Sequence, residues 1–169
     1  RNRLKYEVDI RLIEQDKTFL IDNVEINPFS KCHDCNEPVG YSISHAGKTV
    51  SLITDIGNAC SNVRHAVRKS DILCLESNHD IDMLNSGPYP YYLKQRISGE
   101  NGHISNYDAA LLVMEHASPR LKKIFLSHLS ETNNTPKLAL EAMSIVKERT
   151  DLKDIELIST SRDNPTGLF

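Results

Sequence analysis

Ile72-Leu73-Cys74-Leu75, followed at once by Glu76-Ser77-Asn78-His79-Asp80, is the stretch on which the fold turns. A short apolar run of this length reads as a strand buried on both faces. It ends in a burst of polar, titratable side chains. The same pattern occurs twice more: Ser51-Leu52-Ile53-Thr54 runs into Asp55, and Ile124-Phe125-Leu126-Ser127 runs into His128. In α/β sheets the carboxyl ends of the strands line the ligand crevice. Three strand ends delivering Asp, Glu/His and His to one rim make a hydrolytic metal site. Taken singly, each has a plainer reading. Asp55-Ile56-Gly57 also suits a turn, His128 a position ahead of a helix, and Asn78 or Asp80 the cap of the next helix.

Working outward, residues 6–13 alternate as a strand does, and 18–26 read as two short strands turned at Asp22-Asn23. Residues 28–38 form a polar, turn-rich loop. Residues 39–44 and 49–54 are strands of a hairpin turned at Ala46-Gly47, and 62–69 a short helix. After Leu75, helices are expected over 80–85, 90–97, 105–117 and 136–149, the last with Pro136 in its first turn. Ser105 is the expected N-cap of its helix, with Asp108 three residues on. Strands are expected over 123–127 and 155–159. Hairpins first and helix–strand alternation afterwards predict an α/β domain, a mixed sheet covered by helices.

The chain has 169 residues, enough for one domain with a core. Hydrophobic residues make up 39% and charged residues 25%, and the longest apolar runs, such as Ala109 to Met114, are too short to span a bilayer. Arg1 to Arg11 mixes bases with acids and has no apolar core of a signal peptide. The chain opens without Met inside what reads as a strand, which suggests a truncated or processed chain. Net charge is −3, so a nucleic-acid partner does not follow from charge, although a bound dication supplies the positive field at a phosphate. Cys32, Cys35, Cys60 and Cys74 do not form a disulfide framework, which favours a cytoplasmic setting. Cys32-His33-Asp34-Cys35 is a single CxxC with no second pair, so His33 as a ligand in a shared site is the stronger reading. His45, His65 and His116 read as surface or packing residues. Tyr89-Pro90-Tyr91-Tyr92 reads as packing over the crevice, with base stacking as the alternative.

Several segments, in order, resemble the metallo-β-lactamase superfamily, and more narrowly the YycJ/WalJ-type hydrolases, relatives of tRNase Z. They are Pro28-Phe29 through His33-Asp34, Glu37-Pro38-Val39-Gly40-Tyr41, Thr54-Asp55-Ile56-Gly57 and Leu75-Glu76-Ser77-Asn78-His79-Asp80. Further along come Gly87-Pro88-Tyr89-Pro90, Gly102-His103-Ile104-Ser105-Asn106, Ser127-His128-Leu129-Ser130 through Asn133-Asn134, and Ser161-Arg162-Asp163. The resemblance implies an αββα sandwich of which residues 1–169 are the C-terminal part of a single domain. It implies two divalent metal ions, zinc or manganese, with His33 completing the first site, Asp55 bridging both and His128 completing the second. Glu76 and His103 resemble the acid–histidine pair beside the metals, in which His103 protonates the leaving oxygen and Glu76 orients it. Ser105 and Ser130 would hold a phosphate, with Asn78 and His79 lining the same crevice.

The superfamily signature His-x-His-x-Asp-His, which supplies four ligands near the family's N-terminus, occurs nowhere in this chain. The resemblance therefore implies a partner segment or chain that carries it, and a half-sheet with an exposed edge and apolar face that can also self-associate. The function expected is a nucleic-acid phosphodiesterase, an exonuclease with DNA favoured over RNA. The alternatives are a thioester or cyclic-amide hydrolase of the same fold and a non-catalytic fragment.

Overall fold

The computed structural model describes residues 10–167. Seven strands form one sheet in sequence order: β1 (Phe19–Ile21), β2 (Val24–Ser30), β3 (Val39–His45), β4 (Lys48–Ile53), β5 (Ile72–Glu76), β6 (Lys123–Ser127) and β7 (Glu156–Ser159). The first four are an antiparallel meander, and β4 to β7 run parallel. The switch follows from the connections. Tight turns can only reverse a strand, whereas a parallel return needs a helix-bearing crossover. Here α1 (Ser61–Lys69) joins β4 to β5; α2 (Ile81–Ser86), α3 (Tyr91–Ile97) and α4 (Asn106–His116) join β5 to β6; α5 (Pro136–Met143) joins β6 to β7.

The core lies on one side of the sheet. Ile53, Leu73, Leu75, Ile124 and Leu126 pack against Val63 and Val67 of α1, Ala109 and Val113 of α4, and Ala139 and Met143 of α5. The opposite side carries a cross-strand row, Pro28–Tyr41–Leu52–Cys74–Phe125–Ile158. This corrects the reading of β5 as buried on both faces: Cys74 and Ile72 are only half-buried, and Leu52 beside them is 40% exposed. An apolar run identifies a strand but does not say what covers each face.

Three other expectations shift. The strand over 6–13 begins outside the described residues, and its described part is not a strand; Ile10 and Leu12 there are exposed. Pro28-Phe29-Ser30 continues β2 rather than opening the loop. The helix over 136–149 is α-helical only to Met143 and tightens into a 3-10 turn over Ser144–Glu148. The caps follow the sequence. Ser105 Oγ accepts from Asp108 N–H at 3.0 Å, and Asp80 caps α2 by accepting from Met83 N–H at 2.9 Å. Among the described residues no helix is long and apolar enough to cross a membrane.

Candidate metal and catalytic site

The parallel register sets the site. Ile53 of β4 lies opposite Leu75 of β5, and Glu76 lies opposite Ser127 of β6. Asp55, Glu76 and His128 therefore leave adjacent strands at one edge. Asp55 (φ 53°) and His128 (φ 56°) both adopt the left-handed conformation, which is unusual for residues other than glycine. Each strand thus ends in a sharp turn that throws its side chain onto the rim.

Glu76 is the hub. Its carboxylate is fully buried, and Oε1 accepts from His103 Nδ1 and from His128 Nδ1, both at 2.7 Å. Oε2 accepts from Ile56 N–H at 2.7 Å. Burial alone pushes the Glu76 carboxyl up, but the bonds from His103, His128 and Ile56 outweigh it and hold the group below its ordinary value. The bond to Glu76 raises the His128 pKa against the opposing effect of burial. A carboxylate can only accept, so each imidazole carries its proton on Nδ1 and turns Nε2 towards the cleft. His33 obeys the same logic: its Nδ1 donates to Gly102 carbonyl at 3.0 Å.

Two of these ring nitrogens approach Asp55, and that of His33 also lies 3.5 Å from Asp34 Oδ1. His128 Nε2 lies 3.4 Å and His33 Nε2 3.8 Å from Asp55 Oδ1. His103 stands between the other two rings, 5.1 Å from His33 and 5.2 Å from His128 between centroids. Ligands on a tetrahedral zinc at ~2.1 Å are about 3.4 Å from one another. The Asp55–His128 spacing therefore fits a shared cation, and the Asp/His donor set suits zinc or manganese. Asp55, Glu76, His103 and His128 offer ligand atoms within 4.8 Å of one another. Glu76 nonetheless fits a supporting role better, because both its oxygens are already engaged by N–H donors.

Backbone packing brings His103 to this edge. A Cβ on Gly57 would stand 2.1 Å from Glu100 carbonyl, and one on Gly102 2.1 Å from Arg96 carbonyl. Only glycine permits these two loops to lie backbone against backbone. Beneath them, Asn134 Nδ2 donates to Ser77 and Asn78 carbonyls at 2.7 and 2.9 Å, while Ser77 Oγ donates to Asn106 Oδ1 at 2.6 Å. This buried network fixes the loop after β5 to the start of α4 and to the segment after β6.

Of the residues singled out from sequence, His33, Asp55, Glu76, His103 and His128 come together. Asn78 and Ser130 line the cleft of about 860 Å³ that opens beside His103 and His128. Asn78 also donates to His128 carbonyl at 2.9 Å. Two residues lie elsewhere. His79 is 3% exposed, its Nδ1 lacks a partner among the described residues, and burial lowers its pKa. Ser105 is also 3% exposed and donates its hydroxyl to Asp108 Oδ2 at 2.6 Å, so both sit behind the rim. Lys31 escaped the sequence reading, because a lone lysine in a loop has no spacing signature. Its ammonium donates to Thr54 and Asp55 carbonyls at 2.6 and 3.0 Å. Burial lowers its pKa, opposed by the nearby Asp55 charge. Cys32, Cys35, Cys60 and Cys74 are free thiols.

No protein-family model matches the chain. Over 132 residues it is 36% identical to exodeoxyribonuclease YycJ of Bacillus anthracis, covering 78% of this chain and 49% of that protein. Over 160 residues it is 35% identical to exodeoxyribonuclease WalJ of Streptococcus pneumoniae, covering 93% of this chain and 60% of that one. The chain thus spans about half to three fifths of the length of these relatives. Among solved structures, the metallo-β-lactamase fold protein YhfI of Bacillus subtilis superposes with a TM-score of 0.63 at 15% identity, over 88% of this chain and 51% of that one. Zn²⁺-bound PqqB of Methylobacterium extorquens gives 0.58 at 16% identity, over 88% and 52%. Such identities speak to fold alone. Together with the mixed sheet, they show that this chain has the metallo-β-lactamase fold, and in sequence it is similar to the YycJ and WalJ exodeoxyribonucleases.

Proposed function

We propose that this chain forms part of the catalytic cleft of a metal-dependent phosphodiesterase, an exonuclease acting on DNA. The observation that carries the reading is the buried Glu76 carboxylate binding two imidazoles at once, with the Asp55 carboxylate 3.4 Å from the free nitrogen of one of them. His33, Asp55 and His128 are the proposed ligands of divalent ions, zinc first and manganese second. When bound, such ions acidify a water towards neutral pH and neutralise charge growing on phosphoryl oxygens.

The chain's own residues supply the rest. Asp55 and His128 hold their side chains at the rim through turns that the neighbouring loops pin. His103 Nε2 faces the cleft with Nδ1–H held by Glu76; with a second proton taken up on Nε2, the imidazolium would give that proton to a departing alkoxide and return to the neutral ring. A thioester's thiolate leaves without a proton, so the pair favours the phosphodiester over a thioester. Ser130 lines the cleft, where its hydroxyl would hold a phosphate oxygen. Asn78 positions His128, and His79 and Ser105 support the loops from behind. The four free thiols suit a reducing, cytoplasmic setting. Two ions need more ligands than His33, Asp55 and His128 offer, so a segment or chain bearing His-x-His-x-Asp-His is part of the proposal. The half-exposed sheet row through Leu52 and Phe125 is where it, or a second copy, would pack.

The test is metal content and intact mass of everything that co-purifies from zinc- or manganese-supplemented medium, followed by release of nucleotides from end-labelled DNA. About two ions per active assembly with stepwise nucleotide release supports the reading. A metal-free, inactive protein under both metals overturns it in favour of a non-catalytic fragment.

A further inference from the structure

The cleft does not end at His103 and His128. It continues between the segment after β6 and the segment after β7, where Ser130, Glu131, Ser161, Arg162 and Asp163 line it. Resting on the phosphodiesterase reading above, we propose that Ser130, Ser161 and Arg162 form a second phosphate subsite. It seats the phosphate next to the scissile one on a nucleotide chain.

Strand order places this subsite beside the candidate metal ligands. β7 runs parallel to β6 with Leu126 opposite Ser159, and Thr160 N–H donates to Leu126 carbonyl at 2.9 Å. Neighbouring strands lie ~4.8 Å apart. Ser161 and Arg162 therefore leave the sheet one strand spacing from His128-Leu129-Ser130.

The polar groups there are arranged as donors. Ser130 Oγ accepts from Asn133 N–H at 3.1 Å. Ser161 Oγ accepts from Asp163 and Asn164 N–H, both at 3.2 Å. Backbone donors thus fix both oxygens, leaving each hydroxyl proton to point at an acceptor in the cleft. Arg162 Nη1 donates to Glu131 Oε2 at 2.7 Å, joining the two segments, with side chains 65% and 78% exposed. An exposed pair of this kind is weak, so a phosphodiester can share or take the guanidinium, whose planar fork matches two non-bridging oxygens. Glu131 and Asp163 would otherwise repel an anion, so Arg162 decides whether a phosphate can lie here. Tyr89 and Ile97 also line the cleft and give a base apolar surface to lie against. The enzyme would accordingly prefer a chain to a mononucleotide ester.

The test is equilibrium binding to the purified chain together with any segment or chain that co-purifies with it. The probes are thymidine 5′-monophosphate and a 5′-phosphorylated thymidine dinucleotide with a cleavage-resistant phosphorothioate link. Arg162→Ala should weaken the dinucleotide about tenfold, as loss of a charge-assisted bond does. It should leave the monophosphate within about twofold and lower the salt slope for the dinucleotide by ~0.7. Arg162→Lys should restore part of the loss. If Arg162→Ala affects both ligands equally, or neither, while the monophosphate still binds, the subsite is overturned and the phosphodiesterase reading stands. If the wild-type assembly binds neither ligand, both fall.

Discussion

Replacing Glu76 by glutamine removes one charge and exchanges one acceptor oxygen for an NH₂ group. The geometry leaves that group no good orientation. With the amide oxygen turned to the imidazoles, the NH₂ meets Ile56 N–H where an acceptor stood at 2.7 Å. With the amide flipped, it meets the Nδ1–H groups of His103 and His128. At least one buried donor is left unpaired, at about 1–3 kcal/mol, and two charge-assisted bonds become neutral, at about 1 kcal/mol each. Glu76→Gln should therefore destabilise the fold by about 3–5 kcal/mol. Because the Glu76 carboxyl is held below its ordinary value, its stabilisation is complete above about pH 4.5 and lost as pH falls through the lower folded value. The variant should show a flatter acid limb. His128 is raised instead, so its contribution is complete below about pH 6.5 and lost as pH rises through the raised value. Metal affinity should fall about 10- to 100-fold, as it does when a ligand's supporting partner is removed. Urea midpoints across pH, a metal titration and imidazole ¹⁵N spectra read these effects. If Glu76→Gln keeps wild-type metal affinity and both Nδ1 protons, the hub assignment is wrong.

His103→Ala should reduce hydrolysis of DNA by about 10²–10⁴-fold and spare a p-nitrophenyl phosphodiester, whose leaving group needs no proton; equal losses on the two substrates would show that His103 is no proton donor. Gly102→Ala places its Cβ 2.1 Å from Arg96 carbonyl and 2.3 Å from Ile97 carbonyl. It should cost about 3 kcal/mol and displace His103, and an unchanged melting temperature would refute the close approach. Asp71 is pushed up by burial, but bonds from Arg120, Thr49 N–H and Lys48 outweigh this and hold it below its ordinary value of 3.8. Its stabilisation is therefore complete above that value and lost as pH falls through the lower folded one. Asp71→Asn should cost about 2 kcal/mol at neutral pH, with the advantage of wild type shrinking in acid. A constant difference down to about pH 2 would contradict the assignment.

The parallel half of the sheet was legible because a short apolar run that stops at a cluster of polar residues suits a buried strand reaching a rim. Asp55, Glu76 and His128 could be placed at strand ends without knowing the strand order. What the sequence could not supply was register. Only with Glu76 opposite Ser127 does the carboxylate reach His128 as well as His103. Pairing Glu76 with His103 alone therefore missed one of its two imidazole partners. Ser105 and His79 failed as cleft residues for a related reason. A helix cap and a strand-end histidine look the same in sequence whether they face solvent or the layer beneath. The β5 face misread as buried shows the converse: composition reports that Cys74 tolerates burial, not that anything covers it.

The two strained residues at the rim share a device that no spacing rule reveals. Asp55 and His128 each hold a positive φ, which for such side chains costs on the order of 1 kcal/mol or more and persists only where the surroundings impose it. In both cases a side-chain donor holds the strained residue's own carbonyl. Lys31 Nζ binds Asp55 carbonyl at 3.0 Å, and Asn78 Nδ2 binds His128 carbonyl at 2.9 Å. The donors come from different loops, one after β2 and one after β5, so neither turn is held by its own strand. Release of either carbonyl would let its residue relax towards the ordinary right-handed or extended region, and the side chain would swing off the Asp55–His128 line. The rim is thus built by mutual restraint between loops. Lys31 and Asn78 matter to it through the carbonyls they hold, not as metal ligands.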